Sequence, residues 1–158
     1  MRTVQQYYDD NRDKILFDVR ALEEYEKETI EASIHYYWED MIKVLEDNKE
    51  EFEAKYSKDT PIYILCYTGQ KSEEIEDILD EMGYEAYSLD GGFVAYLRWK
   101  FNKYLEQDKE SGNNTSEENV KEIERSIVKK FRKPIWRKFT QALNESVSYT
   151  HLMLPTIA

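Results

Sequence analysis

The feature that most constrains the fold is a short, uninterrupted apolar run, Pro61-Ile62-Tyr63-Ile64-Leu65. Asp59-Thr60 precedes this run and Thr68-Gly69 follows it closely. A run of this length between polar turn residues is typical of a strand that is buried on both faces of a parallel sheet. Cys66, the single cysteine of the chain, lies at the carboxyl end of the predicted strand.

Segments typical of strands and of helices alternate along the first two thirds of the chain. Strands are predicted at residues 14–19, 33–37, 61–65 and 86–89, and helices at 21–26, 38–56, 72–82 and 93–104. Ser72 is the predicted N-terminal cap of the third helix, and Gly83 closes that helix. The alternation indicates an α/β fold in which helices flank a mostly parallel central sheet.

Composition excludes several classes of protein. No run approaches the roughly 18 apolar residues of a membrane-spanning helix, and the polar residues after Met1-Arg2-Thr3-Val4 are unlike a secretory signal. One cysteine cannot form an internal disulfide, and no CxxC or His/Cys cluster suggests zinc. We therefore expect a cytoplasmic protein with no membrane partner, no metal and no cofactor in this chain.

The segment Cys66-Tyr67-Thr68-Gly69-Gln70-Lys71-Ser72 joins the apolar strand to the next helix. Ligands of parallel α/β sheets bind beyond the carboxyl ends of the strands, where helix N-termini present free N–H groups. Successive amides, the positive helix end and Lys71 would all favour a thiolate, the nucleophilic form of cysteine. This pattern predicts a nucleophilic Cys66 with residues 67–72 binding its substrate, the alternative being a small buried residue at a strand end.

This segment resembles the active-site loop of the rhodanese family, C-x-x-G-x-[R/K]-S. Asp18-Val19-Arg20 with Glu24-Tyr25 is similar to the D-x-R...E-Y segment of the family, and Leu89-Asp90-Gly91-Gly92 with Trp99 is similar to its L-x-G-G...W segment. Residues 28–33 depart from the usual G-H-I-x-G-A-like stretch. The resemblance covers about residues 12–104, and it implies a rhodanese-like three-layer fold and a sulfurtransferase.

By this resemblance Cys66 would accept a sulfane sulfur from a donor and hold it as a persulfide until an acceptor attacks, with the amides of the loop stabilising the anion. Lys71 replaces the commoner arginine and lacks its planar, bidentate grip on oxyanions. A protein persulfide, for instance that of a cysteine desulfurase, is therefore the expected donor rather than thiosulfate. Asp18 and Arg20 are interpreted as a structural ion pair that supports the site.

Two other functions stay open. A Cys-dependent phosphatase or arsenate reductase shares this architecture, but its C-x5-R loop needs an arginine where this chain has Ser72. A catalytically silent rhodanese-like interaction module is the other alternative. The retained cysteine favours the enzyme.

A reversal of charge predicts a second module. Residues 1–110 carry a net charge of -14, and residues 111–158 carry +3. We predict a rhodanese-like domain at 1–106, a linker at 107–118 and the helical start of a truncated module at 119–145, which forms a C-terminal helical extension. Residues 147–152 are similar to translated sequencing adapter, so residues 146–158 are predicted to be an artefactual or disordered tail.

The predicted second module is basic and aromatic. Residues 124–145 resemble the segment before the nucleotide loop of tRNA 2-thiocytidine-type PP-loop ATPases, although the S-G-G-x-D-S motif itself is missing. This resemblance implies a rhodanese domain fused to a tRNA-thiolation ATPase module, which would be the acceptor. Basic residues between aromatics suit an RNA backbone, the alternative being a solvated helical face. The candidate RNA contacts are Lys129, Lys130, Arg132, Lys133, Arg137 and Lys138.

Overall fold

The computed structural model describes residues 1–110, 116–122 and 125. By its internal contacts the chain divides into two units, Met1–Tyr96 and Leu97–Ala158. The sheet and the cysteine loop belong to the first unit. The predicted RNA contacts, most of the predicted second module and the predicted tail at 146–158 lie outside the described residues.

A parallel sheet with helices between its strands forms the first unit, as predicted. Its four strands have the order β2-β1-β3-β4, and all three neighbouring pairs are parallel. This arrangement is the predicted α/β fold with a parallel central sheet. The elements in chain order are α1 Val4–Asp9, β1 Ile15–Asp18, α2 Leu22–Lys27, β2 Ile34–His35, α3 Trp38–Asp47, α4 Lys49–Lys55, β3 Ile62–Leu65, α5 Gln70–Glu81, β4 Ala86–Ser88 and α6 Gly92–Glu110.

The apolar run of the sequence is the central strand of the core. All four residues of β3 are fully buried, between β1 on one side and β4 on the other. Apolar side chains of α3 and α5 cover the sheet, among them Met41, Leu45, Ile75 and Leu79. Burial of each such side chain contributes roughly 1.5–3 kcal/mol to folding. The end of β3, from which Cys66 continues, is therefore held firmly in place.

A short helix that sequence analysis did not predict precedes the first strand. Thr3 and Gln6 form a capping box at the start of α1: the Gln6 amide donates to Thr3 Oγ1 at 3.1 Å, and the Thr3 amide donates to Gln6 Oε1 at 2.9 Å. Val4 and Tyr7 are the buried side chains of this helix. Just before it, Arg2 forms a parallel bridge with Leu89, which follows β4.

Two helices replace the single helix predicted at 38–56. The break lies at Asn48, where the backbone leaves the helical region at φ -149° and ψ 52°. The Asn48 side chain donates to the Glu51 carboxylate at 2.8 Å, and the Asn48 carbonyl accepts the Glu51 amide at 3.1 Å. Asparagine competes with helical hydrogen bonding in this way, so the predicted continuous helix is wrong.

The last helix of the domain extends further than predicted. α6 continues to Glu110, beyond residue 104 and into the predicted linker at 107–118. No glycine or proline lies between Gly92 and Gly112, and the ammonium of Lys103 lies 3.5 Å from the Glu106 carboxylate. No helix in the described part of the chain is both long enough and apolar enough to span a bilayer.

Candidate active site

Cys66 lies at the carboxyl end of the central strand, beside the first turn of α6. Its thiol is buried, and the residue is 5% exposed. The Phe93 amide donates to the Cys66 carbonyl at 2.8 Å, and the Val94 amide donates to the Tyr67 carbonyl at 3.4 Å. Gly92 makes this approach possible, since an added Cβ there would lie 2.6 Å from the Cys66 carbonyl oxygen. The turn at Gly91 and Gly92, called the glycine turn below, therefore positions the backbone of the cysteine.

Gly69 turns the chain from the cysteine into α5. Its φ of +108° is open to glycine and strained for other residues, and the helix begins at the next residue, Gln70. The Gly69 amide donates to Cys66 Sγ at 2.9 Å. The prediction of Ser72 as the helix cap is therefore wrong, because the positive φ of Gly69 starts the helix before the chain reaches Ser72.

Ser72 instead faces the sulfur from inside the first turn of α5. It is fully buried, with Oγ 3.3 Å from Cys66 Sγ and 3.0 Å from the Gly69 carbonyl oxygen, to which it donates. The single proton of the hydroxyl can serve one acceptor at a time, so in this arrangement the thiol donates to Ser72 Oγ. The Glu73 amide also donates to the Gly69 carbonyl, at 3.1 Å. The hydroxyl can therefore turn towards an anionic sulfur without leaving that carbonyl unpaired.

The other side chains of the loop lie at its rim. Thr68 and Gln70 are exposed, and Tyr67 is half-buried. Burial, together with the charge of Glu24, raises the pKa of Tyr67 to about 12, so its phenol stays protonated at neutral pH. The ammonium of Lys71 lies 4.0 Å from the centroid of the Trp38 ring and 3.8 Å from the Glu74 carboxylate.

The structure thus brings Gly69 and Ser72 to the sulfur, and it places Lys71 against other partners. From the sequence, Lys71 was expected beside the thiol. Ser72 was predicted as part of the binding loop, without a role for its hydroxyl, and Trp38 was not predicted as part of the site. No local spacing links Trp38 to the loop, because the contact depends on the packing of α3 against α5.

Asp18 and Arg20 form a buried ion pair at the end of β1. Arg20 Nη2 lies 2.7 Å from Asp18 Oδ2, and the two side chains are 2% and 0% exposed. Thr29 Oγ1 also donates to that carboxylate at 2.7 Å, and Arg20 Nη2 donates to the Glu28 carbonyl. The guanidinium lies 3.8 Å from the centroid of Phe93, whose amide binds the Cys66 carbonyl. The predicted ion pair is present, and its position connects it to the backbone of the loop.

The arrangement suits a cysteine that accepts and releases sulfur better than a cysteine that attacks a phosphate ester. The thiol faces two hydrogen-bonding groups, the Gly69 amide and the Ser72 hydroxyl, and the position that a phosphatase gives to arginine holds Ser72. Among the residues that the structure describes, no cluster of three or more His, Cys, Asp or Glu side chains could hold a metal ion. The chemistry that these residues support is attack by, and departure of, a sulfur anion.

Comparison with known proteins identifies the family. Residues 2–98 match the Rhodanese-like domain. The thiosulfate sulfurtransferase GlpE of Coxiella burnetii is 36% identical over 86 residues, 54% of this chain and 73% of that protein. A tRNA sulfurtransferase of Desulfurococcus amylolyticus is 31% identical over 84 residues, 53% of this chain and 15% of that protein. A solved rhodanese-related protein from Thermoplasma volcanium shares the fold, with a TM-score of 0.50 at 18% identity, over 61% of this chain and 91% of that one. The family match spans more than half of the sequence and includes the sheet and the cysteine loop: the chain belongs to the rhodanese-like domain family.

Proposed function

We propose that this protein is a sulfurtransferase that carries sulfane sulfur as a persulfide on Cys66. The observation that carries the proposal is the surroundings of the sulfur: the Gly69 amide donates to Sγ at 2.9 Å, and the buried Ser72 hydroxyl lies 3.3 Å away. Hydrogen bonds to an anion are stronger than those to a neutral group. These two groups can therefore stabilise a sulfur anion at Cys66 while sulfur is transferred.

The same two donors serve both halves of the reaction. In the first step the Cys66 thiolate attacks the sulfane sulfur of the donor, the donor S–S bond breaks, and its electron pair leaves with the donor. In the second step the acceptor attacks the outer sulfur of the persulfide, and Cys66 departs as a thiolate. Gly69 and Ser72 stabilise the thiolate that starts the first step and that the second step regenerates.

For the donor we propose the persulfide of another protein, as in a cysteine desulfurase. The loop has one cationic side chain, Lys71, and its ammonium contacts Trp38 and Glu74. Residues 1–110 carry a net charge of -14, which repels small anions. A protein persulfide carries at most one negative charge, against two on thiosulfate, so its binding depends less on a cation in the loop. The Coxiella relative is named for thiosulfate, so thiosulfate is the competing donor.

For the acceptor we propose a tRNA-thiolation ATPase module, as in a fused protein. The support is the resemblance of residues 124–145 and the net charge of +3 over residues 111–158, since tRNA needs a basic surface near an acidic domain. Fusion of the two modules in one chain would present the persulfide to a neighbouring site at high effective concentration. The relative from Desulfurococcus amylolyticus is named a tRNA sulfurtransferase. The reducing cytoplasm, which keeps thiols free, is the proposed location.

The gene beyond codon 145 tests the proposed acceptor. An S-G-G-x-D-S loop encoded within a few tens of codons supports tRNA thiolation. A stop codon or an unrelated domain contradicts it and leaves a sulfurtransferase with another acceptor.

A turnover assay tests the proposed activity. The full chain is given cyanide as acceptor, with either thiosulfate or a cysteine desulfurase plus cysteine as donor, and thiocyanate is measured. We expect thiocyanate formation above that of donor and cyanide alone, an excess that Cys66→Ser abolishes, with a larger kcat/KM for the desulfurase. Equal rates in Cys66→Ser, or no thiocyanate from either donor, contradict the enzyme and favour the silent interaction module. Turnover with thiosulfate alone refutes only the proposed donor.

A further inference from the structure

A cation–π contact joins the first turns of α3 and α5 beside the cysteine loop. Lys71 Nζ lies 4.0 Å from the centroid of the Trp38 ring, a distance at which the ring attracts an ammonium. Glu74, on the same helix as Lys71, is a second partner: its carboxylate lies 3.8 Å from Lys71 Nζ. The ammonium is therefore held from two sides.

The ring is the rigid member of this contact. Trp38 packs against the hydrophobic core, and its backbone amide donates to the Val19 carbonyl at 3.0 Å. The side chains of Lys71 and Glu74 are 45% and 52% exposed. Because a fixed aromatic face binds a flexible cation, the position of Trp38 determines where the ammonium rests.

We propose that Trp38 is a positioning residue for Lys71, and that it thereby lowers the affinity of the site for small dianionic sulfur donors. Lys71 is the one cationic side chain in residues 66–72. The Lys71 ammonium contacts Trp38 and Glu74, so a displacement towards an anion at Cys66 weakens these contacts, and the free energy lost is subtracted from anion binding. The proposal rests on the proposed function, since it concerns the choice of donor at the same site.

Thiosulfate is the probe, because its reaction is balanced without another reagent. The Cys66 thiolate attacks the sulfane sulfur, the S–S bond of thiosulfate breaks, and the electron pair leaves with sulfite. Cyanide then removes the outer sulfur as thiocyanate and regenerates the thiolate. The dianion is bound before either step, so a change in the position of Lys71 alters KM and leaves kcat unchanged.

Variants of the full chain separate positioning from structure. Trp38→Leu removes the ring, one of the two partners of the ammonium, and KM for thiosulfate falls about 2- to 5-fold, the equivalent of a cation–π contact at an exposed site. Trp38→Phe keeps an aromatic face and gives a smaller change. In a Lys71→Met background, Trp38→Leu no longer lowers KM. A fall in KM that persists without Lys71, or no fall at all, overturns the proposal.

Two neighbouring glutamates provide a matched pair that leaves the core intact. Glu74→Gln removes the second partner of Lys71, and Glu73→Gln removes the same charge from an exposed neighbour on the same helix turn. Glu74→Gln lowers KM for thiosulfate more than Glu73→Gln does. Equal effects would show that only overall charge matters and would contradict the proposal.

Two measurements that need no turnover keep this inference separate from the proposed function. In the Cys66→Ser background, the Kd for thiosulfate, read from the Gly69 amide resonance, falls in Trp38→Leu as KM does. The side-chain methylene protons of Lys71 show an upfield ring-current shift that Trp38→Leu abolishes. If no variant that retains Cys66 forms thiocyanate, the proposed function is refuted and the role of Trp38 is not. An unchanged Kd or an absent ring-current shift refutes the role of Trp38.

Discussion

Replacement of Gly92 by alanine tests whether the glycine turn positions the cysteine. A Cβ at this residue would lie 2.6 Å from the Cys66 carbonyl oxygen, 2.7 Å from the Tyr67 carbonyl oxygen and 2.8 Å from the Tyr67 carbonyl carbon. All three atoms belong to the backbone, so no flexible side chain can move aside. The positive φ costs about 1–2 kcal/mol for a residue with a Cβ, and forced overpacking typically costs about 1–3 kcal/mol. We expect a loss of about 2–5 kcal/mol in the free energy of unfolding.

Gly83 provides the matched control for backbone strain. Its φ is +93°, but an added Cβ would meet only the end of the Lys58 side chain, at 3.9 Å. Gly83→Ala should therefore cost only the strain, about 1–2 kcal/mol, and leave the rate of persulfide formation unchanged. Gly92→Ala should also slow persulfide formation, because the carbonyls that must move belong to Cys66 and Tyr67.

We would measure urea unfolding and the rate of persulfide loading on both variants at one temperature. Together these measurements distinguish strain from the positive φ alone from displacement of the cysteine backbone. Equal losses of stability in Gly83→Ala and Gly92→Ala would show that φ alone is responsible. Gly92→Ala with a normal rate of persulfide loading would show that the turn does not position the sulfur. Either result refutes the reasoning.

Three further perturbations follow from the same structure. Ser72→Ala removes one of the two groups that face Cys66 Sγ. It should slow persulfide loading about tenfold, as expected for a hydrogen bond to a charged group. Ser72→Thr keeps the hydroxyl and should retain more of the rate. Arg20→Met leaves the Asp18 carboxylate buried without its cation and should lower the free energy of unfolding in urea by about 3–5 kcal/mol. The double variant with Asp18→Asn should recover part of that loss. An Arg20→Met variant as stable as the wild type contradicts the structural role. Hydrogen bonds from Arg12 and Tyr63 lower the pKa of Asp10, so its stabilising contribution is complete above the unfolded-state pKa near 4 and is lost as pH falls further. Asp10→Asn should therefore be less stable than the wild type at pH 7, and the difference should shrink at pH 3; a constant difference contradicts the assignment.

The sheet could be predicted because its strands have strong local signals. All four observed strands lie inside predicted segments, and the central one stands out because an apolar run between turn residues has few other structures available to it. The helical spacing of apolar residues also predicted the buried face of α5, where Ile75 and Leu79 are fully buried. The family resemblance then located Cys66 and its loop.

The errors share a physical cause, which is that local hydrogen bonds and backbone conformation, rather than apolar spacing, set where these helices begin and end. α1 has six residues and two buried side chains, too few for a helical period to be recognised. The break at Asn48 interrupts a regular helical spacing through hydrogen bonds to Glu51. Ser72 has the chemistry of a cap, but the conformation of Gly69 starts the helix earlier.

The details of the site were the least predictable part. The contact between Lys71 and Trp38 joins residues far apart in the chain, and the hydrogen bond from the Gly69 amide to the sulfur depends on a positive φ that the sequence only permits. A motif therefore predicted which residues surround Cys66, and the geometry showed which of them contact its sulfur.

The central claim is that Cys66 carries a transferable sulfur, and intact mass spectrometry after a single exposure to a sulfane donor tests it most directly. Cys66 is the only cysteine in the chain, so Cys66→Ser removes every thiol and is a complete control. The proposed mechanism predicts a gain of one sulfur atom on the unaltered chain, lost on addition of cyanide with release of thiocyanate, and no gain on Cys66→Ser. A chain that gains no cyanide-labile sulfur from either thiosulfate or a charged cysteine desulfurase would contradict it.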